Sequence, residues 1–210
     1  MMSRELVLRP ALHLVAAVAL VAAVSAATAP YAWAQAPSDK YDDTFRKYAK
    51  RSFGPGFDWR IFKAQGMAES NLNPDARSGV GARGIMQLMP STYKEVRSRN
   101  PDLGKIDDPA WNIAAGIAYN RQLWKQWQPD SDAAHLLEFM FGSYNAGRGT
   151  LLRAQRVARD RALDQRVWPS IQTVAPSVPR WRSIETLTYV DRIKANLLRL
   201  DDKGRVIVKR

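Results

Sequence analysis

The stretches ESNLNP at residues 69–74 and SGVGARGIMQLMP at residues 78–90 are the most informative part of this sequence. They follow an apolar helical pattern that ends at Glu69, which predicts that this carboxylate is held by a rigid element beside apolar groups. Such surroundings raise the pKa of a glutamic acid and make it a proton donor near neutral pH. A solvent-facing glutamate is the ordinary alternative, but the glycines of the following loop favour a wall packed against a ligand.

Helical periodicity dominates the chain, with no internal repeat and no persistent strand pattern. An apolar face runs from Tyr41 to Phe53, and the turn at 54–56 ends that helix. Asp58 is a suitable N-cap for the helix that leads to Glu69. The sequence therefore predicts an all-α, mostly helical fold.

The remaining segments are assigned from the same periodicity and from the positions of proline and glycine. Helices are predicted from about Pro90 and at 110–127, 132–144, 150–162 and 184–197. Residues 147–149 are predicted to be a break. The segments without helical pattern are a loop at 71–90, an extended connection at 165–182, and a charged tail at 201–210 with a strand-like or disordered run at 206–208.

The composition indicates a globular protein with a basic surface. The chain has 210 residues, a net charge of +12 and no cysteine, so no disulfide is expected. The charge is compatible with an acidic partner such as the bacterial wall, an anionic membrane surface or nucleic acid. Because His135 is the one histidine outside the N-terminal segment, no metal site is expected, and no cofactor-binding motif is present.

Residues 1–36 are predicted to be a signal peptide. Arg4 and Arg9 form a positive region, an Ala- and Val-rich apolar run follows, and small-x-small cleavage sites end at Ala34 and Ala36. An uncleaved membrane anchor is the alternative, because the apolar run approaches the length of a membrane span. Export to the periplasm is the prediction, and it argues against a nucleic-acid partner.

Four segments resemble, in order, the motifs of the soluble lytic transglycosylase (SLT) domain, a family that cleaves bacterial peptidoglycan. The first runs from Glu69 to Thr92. The other three are DPxxNIxxGxxY at 108–119, FxSYNAGxG at 141–149 and IETLTYV at 184–190. Each motif alone is a moderate signal, but four in order are a strong one. Ser143 stands where the family usually has alanine, and Leu187 where it often has arginine.

The resemblance implies a compact, lysozyme-like single domain with a saccharide-binding cleft over residues 57–200, preceded by an N-terminal helical extension at 37–56. It implies that Glu69 is the catalytic acid and base. Ser78 would polarise the substrate or assist the cyclising hydroxyl, and Tyr189 would donate a hydrogen bond to the catalytic carboxyl. The other implied substrate-binding residues are Met86, Gln87, Met89, Tyr144, Asn145 and Glu185.

The resemblance also implies a mechanism with a single carboxylate, which fits the absence of a clear second one near Glu69 in the sequence. Glu69 would protonate the glycosidic oxygen and then accept the proton of the muramyl C6 hydroxyl, giving a 1,6-anhydro product. A goose-type lysozyme-like hydrolase and a non-catalytic peptidoglycan-binding protein are the alternatives. The expected partner is the peptidoglycan glycan strand, with peripheral association with the wall or membrane surface, and a monomer is favoured.

Overall fold

The computed structural model describes residues 39–207, and this part of the chain is built from α-helices. Eight α-helices occur there, with a 3₁₀ turn before α5 (Ala133–His135) and another after α7 (Ala175–Ser177). They are α1 (Asp42–Phe53), α2 (Arg60–Ser70), α3 (Pro90–Arg99), α4 (Pro109–Trp127), α5 (Leu136–Ala146), α6 (Arg148–Asp160), α7 (Trp168–Val174) and α8 (Ser183–Leu198). Between residues 39 and 207, β pairing is limited to isolated bridges. The predicted all-α class is confirmed.

The helix boundaries follow local chemistry. Asp108 caps α4 by accepting the amide hydrogens of Ala110 and Trp111, which satisfies donors that have no partner inside a helix. The first residues of α3 and α4 are prolines, which cost nothing there because the first amides are unpaired anyway. Asp58 lies one residue before the cap position of α2, and its side chain accepts the Arg60 amide at 3.0 Å.

Three predicted segments differ from the structure. The segment 165–182, predicted to be extended, contains α7, because Pro169 occupies the first turn, where a proline is tolerated, and Trp168 is buried in the core. The predicted break at 147–149 is confined to Gly147, with a φ of 79°, and α6 begins at Arg148. The helix predicted at 132–144 begins as a 3₁₀ turn and extends to Ala146.

Helix α2 lies at the centre of the packing. It contacts α1 and α8, while α5 contacts α4, α6 and α8. Every residue from Ile61 to Ala68 is buried, so α2 is covered on all sides over two turns. A helix enclosed in this way positions a side chain at its end with little freedom. No helix between residues 39 and 207 has both the length and the apolar character that crossing a membrane requires.

A buried ion pair joins both ends of the described chain to α2. The Nζ of Lys63 has no exposed surface, lies 2.6 Å from a carboxylate oxygen of Asp42, and donates to the carbonyl of Gly204 at 2.8 Å. Burial raises the pKa of Asp42, and the hydrogen bond and charge of Lys63 oppose that rise. The described part of the predicted charged tail, residues 201–207, therefore forms a folded turn against α2. The predictions for residues 1–36 and Val208 lie outside the described residues.

Replacing Asp42 by asparagine is expected to lower the free energy of unfolding by about 3 kcal/mol, because a buried lysine is left without its counter-charge. Asp43→Asn is the matched control: Asp43 is the next residue of α1 and pairs with Arg46 in full exposure, so a loss under about 1 kcal/mol is expected. Urea unfolding of both variants is the measurement. Equal losses would contradict a stabilising role for the buried pair.

Candidate functional site

Glu69 stands in the last turn of α2, where the chain reverses. Asn71 and Leu72 adopt left-handed backbone conformations with φ of 53° and 62°. Their amides bond back to the carbonyls of Met67 and Gly66, which closes the helix end. The buried Leu72 packs over Gly66, where a Cβ would come within 2.9 Å of the leucine side chain. The turn carries the chain away from the helix and leaves Glu69 partly exposed at its edge.

Tyr189 of α8 holds the Glu69 carboxylate. The tyrosine hydroxyl donates to Oε1 of Glu69 at 2.6 Å, and the tyrosine itself is only 2% exposed. The two residues are 120 positions apart in sequence and meet because α8 packs along α2. The structure thus brings together the two residues for which the resemblance implied a shared role.

The surroundings of Glu69 raise its pKa to about 7. Burial is the main cause, while the Tyr189 hydrogen bond and the positive charge of Arg192 act in the opposite direction. The phenol pKa values of Tyr144 and Tyr189 are also raised, by burial first and then by the charge of Glu69. Near neutral pH the carboxyl group is therefore present in both protonation states, as a group that gives and then takes a proton requires.

Asn112 of α4 fixes the glycine-rich loop beside this carboxyl. Its Oδ1 accepts the Met86 amide at 2.8 Å, and its Nδ2 donates to the carbonyls of Arg83 and Ile106 at 3.0 Å each. Gly84 has a φ of 73°, and a Cβ there would lie 2.6 Å from the Asn112 side chain. Only glycine permits this close approach. Asn112 belongs to the second sequence motif, but no role was predicted for it.

Two of the predicted substrate-binding residues also bond to the loop backbone. Ser78 Oγ accepts the Ala82 amide at 2.9 Å and is partly exposed. Gln87, with a φ of 43°, donates its side-chain amide to the carbonyls of Ala76 and Gly84. These bonds leave the carbonyl oxygen of the Gln87 side chain as its acceptor for any ligand.

The two methionines of the loop have different surroundings. Met86 has no exposed side-chain surface and packs against Gly116, while its backbone carbonyl accepts the Tyr144 hydroxyl at 2.8 Å. Met89 is 38% exposed. The Met89 side chain is therefore accessible to a ligand. The Met86 side chain is part of the hydrophobic core.

The remaining predicted residues border a shallow cavity of about 200 Å³ between α5 and α8. Asn145 is exposed and its Oδ1 accepts the Thr186 hydroxyl at 2.8 Å, while Trp181 donates to the same hydroxyl at 2.9 Å. Glu185 lines the cavity and pairs with Arg182 at 3.1 Å in an exposed position. Thr186 and Trp181 therefore fix the side chain of Asn145, a contact that the sequence did not indicate.

Sequence reasoning missed a buried polar group behind Tyr189. Gln65 donates to the Tyr189 hydroxyl at 3.0 Å and accepts from Asn120 at 2.6 Å, and neither amide side chain has exposed surface. The available signal was an amide residue at a buried position of each of α2 and α4. Between residues 39 and 207, no three His, Asp or Glu side chains lie close enough together to hold a metal ion.

Comparison with known proteins finds a family model and several similar proteins. The model of the family described as "Transglycosylase SLT domain" matches residues 45–167. A membrane-bound lytic murein transglycosylase F of Shewanella pealeana is 31% identical over 166 residues, which cover 74% of this chain and 33% of that protein. The chain thus spans about a third of the length of this relative.

Two solved structures share the fold. The 70 kDa soluble lytic transglycosylase of Escherichia coli superposes with a TM-score of 0.57 at 26% identity, covering 75% of this chain and 23% of the other. An inactive mutant of the lytic transglycosylase of Pseudomonas aeruginosa, with one glutamate changed to glutamine, gives a TM-score of 0.59 at 26% identity and the same two coverages.

Asn112→Leu is expected to lower the free energy of unfolding by about 3 kcal/mol, because three backbone groups of the loop region lose their partner in a buried place. The control is Asn100→Leu, which removes one side-chain bond, to the carbonyl of Val96, and is expected to cost about 1 kcal/mol. Urea unfolding gives the energies, and limited proteolysis should cut the 71–90 loop faster in Asn112→Leu alone. Equal cutting in both variants would show that Asn112 does not hold the loop.

The raised pKa of Glu69 predicts a pH-dependent stability. The folded protein retains the proton up to about pH 7, whereas the unfolded chain loses it near pH 4.5, so the contribution is complete below pH 4.5 and is lost as the pH rises through 7. Relative to Glu69→Gln, the wild type should lose about 3 kcal/mol of unfolding free energy between pH 4.5 and pH 8. Urea titrations across this range measure it, and a constant difference would disprove the raised pKa.

Proposed function

We propose, on the premise that this chain belongs to the Transglycosylase SLT domain family, that it is a peptidoglycan lytic transglycosylase with Glu69 as its acid and then its base. The carboxyl group of Glu69 carries the proposal, because burial raises its pKa to about 7 and Tyr189 holds one oxygen. The names of the relatives support the same class of enzyme. A solved relative inactivated by a glutamate-to-glutamine change adds to that support.

In the first step, protonated Glu69 gives its proton to the oxygen of the β-1,4 bond between N-acetylmuramic acid and N-acetylglucosamine. The bond between C1 and that oxygen breaks, and the N-acetylglucosamine end leaves as an alcohol. Positive charge develops at C1 of the muramyl residue, where the N-acetyl group of the substrate stabilises it. A pKa near the working pH keeps a large fraction of Glu69 ready to donate.

In the second step, ionised Glu69 accepts the proton of the muramyl C6 hydroxyl, and the C6 oxygen bonds to C1. The product is a 1,6-anhydromuramyl end, and Glu69 regains the proton that it gave. No water is consumed. One carboxyl group thus serves both steps, which explains why its pKa has to lie between that of a free glutamate and that of a permanently neutral acid.

A single-carboxylate mechanism agrees with the charges around Glu69. Glycosidases that use two carboxyl groups hold them about 5–9.5 Å apart, and among residues 39–207 no carboxylate contributes to the pKa shift of Glu69. Asp58 pairs with Arg60 at the opposite end of α2, and Asp75 is exposed in the loop. With the C6 hydroxyl of the substrate as nucleophile, no second carboxylate is needed.

The glycan would lie along the loop and the ends of α5 and α8. We assign its polar contacts to Ser78, Gln87, Asn145 and Glu185 and an apolar contact to Met89. Met86 would contribute through its backbone, with Tyr144 bonded to it as the floor. The net charge of +12 suits an anionic wall, and an enzyme of this class acts where peptidoglycan lies, in the periplasm.

The proposal is tested by digesting purified sacculi with a protein that begins at Pro37 and identifying the released muropeptides by mass spectrometry. The expected products end in anhydromuramic acid and are lighter by one water than reducing-end products. Glu69→Gln is expected to lower the rate by a factor of about 10²–10⁴, because the amide neither gives nor takes the proton.

Two outcomes would contradict the proposal in different ways. Reducing-end products that carry the label of ¹⁸O-water would show a hydrolase of the goose-lysozyme kind. A wild type that is retained on sacculi but digests them no faster than an inert Glu69→Gln variant would show a binding protein without turnover. Glu185→Gln is the matched control, because this exposed carboxylate is assigned to binding and its loss should weaken substrate affinity more than the rate at saturation.

A further inference from the structure

A continuous line of polar side chains runs through the core behind the candidate catalytic carboxyl. Asn120 Nδ2 donates to Gln65 Oε1 at 2.6 Å, Gln65 Nε2 donates to the Tyr189 hydroxyl at 3.0 Å, and that hydroxyl donates to Glu69 Oε1 at 2.6 Å. Asn120 and Gln65 are completely buried and Tyr189 is 2% exposed. Three helices contribute to the line, since Gln65 and Glu69 belong to α2, Asn120 to α4 and Tyr189 to α8.

In the structure, every hydrogen bond of the line points toward Glu69. A tyrosine hydroxyl has one hydrogen to give, and because its oxygen accepts from Gln65, that hydrogen is directed at Glu69. A glutamine side chain presents NH₂ on one side and oxygen on the other, so the bond from Asn120 to Oε1 decides that Nε2 faces Tyr189. Reversing one member while the others keep their orientation would set two donors or two acceptors against each other in a place without exposed surface.

We infer that Gln65 and Asn120 are positioning residues that direct the Tyr189 hydroxyl at Oε1 of Glu69, so that Oε2 is the oxygen that carries and transfers the proton. The inference rests on the proposed function of Glu69. Oε1, occupied by an incoming hydrogen bond, remains an acceptor in both protonation states. The acid and base steps therefore pass through the same oxygen, and the carboxyl group does not have to rotate between them.

The energetic cost of this arrangement argues against a purely structural role. A leucine at position 65 or 120 would fill the core without polar groups to satisfy, whereas buried amides need every bond they can make. Asn120 Oδ1 is buried and accepts no hydrogen bond from the described residues, so the line reduces stability at its far end. Such a loss of stability is typical of buried polar residues that orient the reactive groups of a site.

The other groups that face Glu69 do not set this direction. On α8, Arg192 acts on Glu69 through its charge and makes no hydrogen bond to it. On α5, the hydroxyl of Tyr144 donates to the Met86 carbonyl, and the ring of Tyr119 of α4 packs against the Tyr144 ring, with 5.2 Å between the ring centroids. Among the described residues, Tyr189 is the one that donates a hydrogen bond to the Glu69 carboxylate.

The test measures the pKa of Glu69 directly, by ¹³C NMR of protein labelled at the glutamate carboxyl carbons and assigned with Glu69→Gln. In Gln65→Leu the Tyr189 hydroxyl is free to turn and its bond to the ionised carboxylate weakens. The pKa of Glu69 should therefore rise by roughly 0.5 or more above the wild-type value. Asn120→Leu should shift the pKa in the same direction by a smaller amount.

The matched control is Gln155→Leu. Gln155 is also a buried glutamine whose Nε2 donates to two groups, the carbonyls of Asp130 and Gln165, and it lies in α6. Its replacement should lower the unfolding temperature and leave the pKa of Glu69 unchanged. The control thus separates a loss of stability from a loss of hydrogen-bond direction. If Gln65 were merely structural, Gln65→Leu would lower stability and leave the pKa of Glu69 unchanged, as Gln155→Leu does.

A double variant completes the experiment. Tyr189→Phe removes the bond to Glu69, so Gln65→Leu added to it should shift the pKa no further. An unchanged pKa in both folded Gln65→Leu and Asn120→Leu, or additive shifts in the double variant, would overturn the inference. Because these measurements need no turnover, they stay distinct from the sacculus assay: a wild type without activity would refute the proposed function and leave the NMR result to decide the direction of the hydrogen bonds.

Discussion

The hydrogen bond between Tyr189 and Glu69 is the interaction on which the properties of the candidate site depend. It joins α2 to α8 across 120 positions of sequence at 2.6 Å, so it exists only when the two helices are packed side by side. That packing places Tyr189 in the core and the carboxyl group at its edge. The property proposed for catalysis, a carboxyl pKa near 7, is thus a property of the completed fold and not of the helix that carries Glu69.

Polar residues in α2 show how closely site and fold are connected. Lys63 and Gln65 are completely buried in a helix enclosed by its neighbours, and each finds its partners far away in sequence: Asp42 and Gly204 for the lysine, Asn120 and Tyr189 for the glutamine. An unpaired polar group at either position would cost stability. The enclosing elements therefore have to dock in one register, which in turn fixes the last turn of α2.

The sequence predicted what local chemistry determines. The glycine that ends α1, the proline that opens α3, and the position of Glu69 at a helix end follow from residues adjacent in the chain. It did not predict α7, because the buried contacts of Trp168 outweigh the prolines that indicated an extended segment. Nor did it predict the bonds that join Asn120 and Gln65 to Tyr189, or which of the two loop methionines is buried, since both depend on which helices meet.

Burial raises the pKa of Glu69 and the Tyr189 hydrogen bond opposes that rise. At Asp201 of the same chain, hydrogen bonds prevail and the pKa is lowered. Asp201 accepts a backbone bond from Arg205 and further bonds from the Arg205 side chain and the Lys203 amide, and these lower its pKa. Several donors on Glu69 would likewise keep it ionised, leaving no acid for the first step of the proposed mechanism. Burial of Glu69 without any donor would favour its neutral form and would weaken it as the base of the proposed second step. One directed donor on one oxygen is the arrangement that suits both steps of the proposed mechanism.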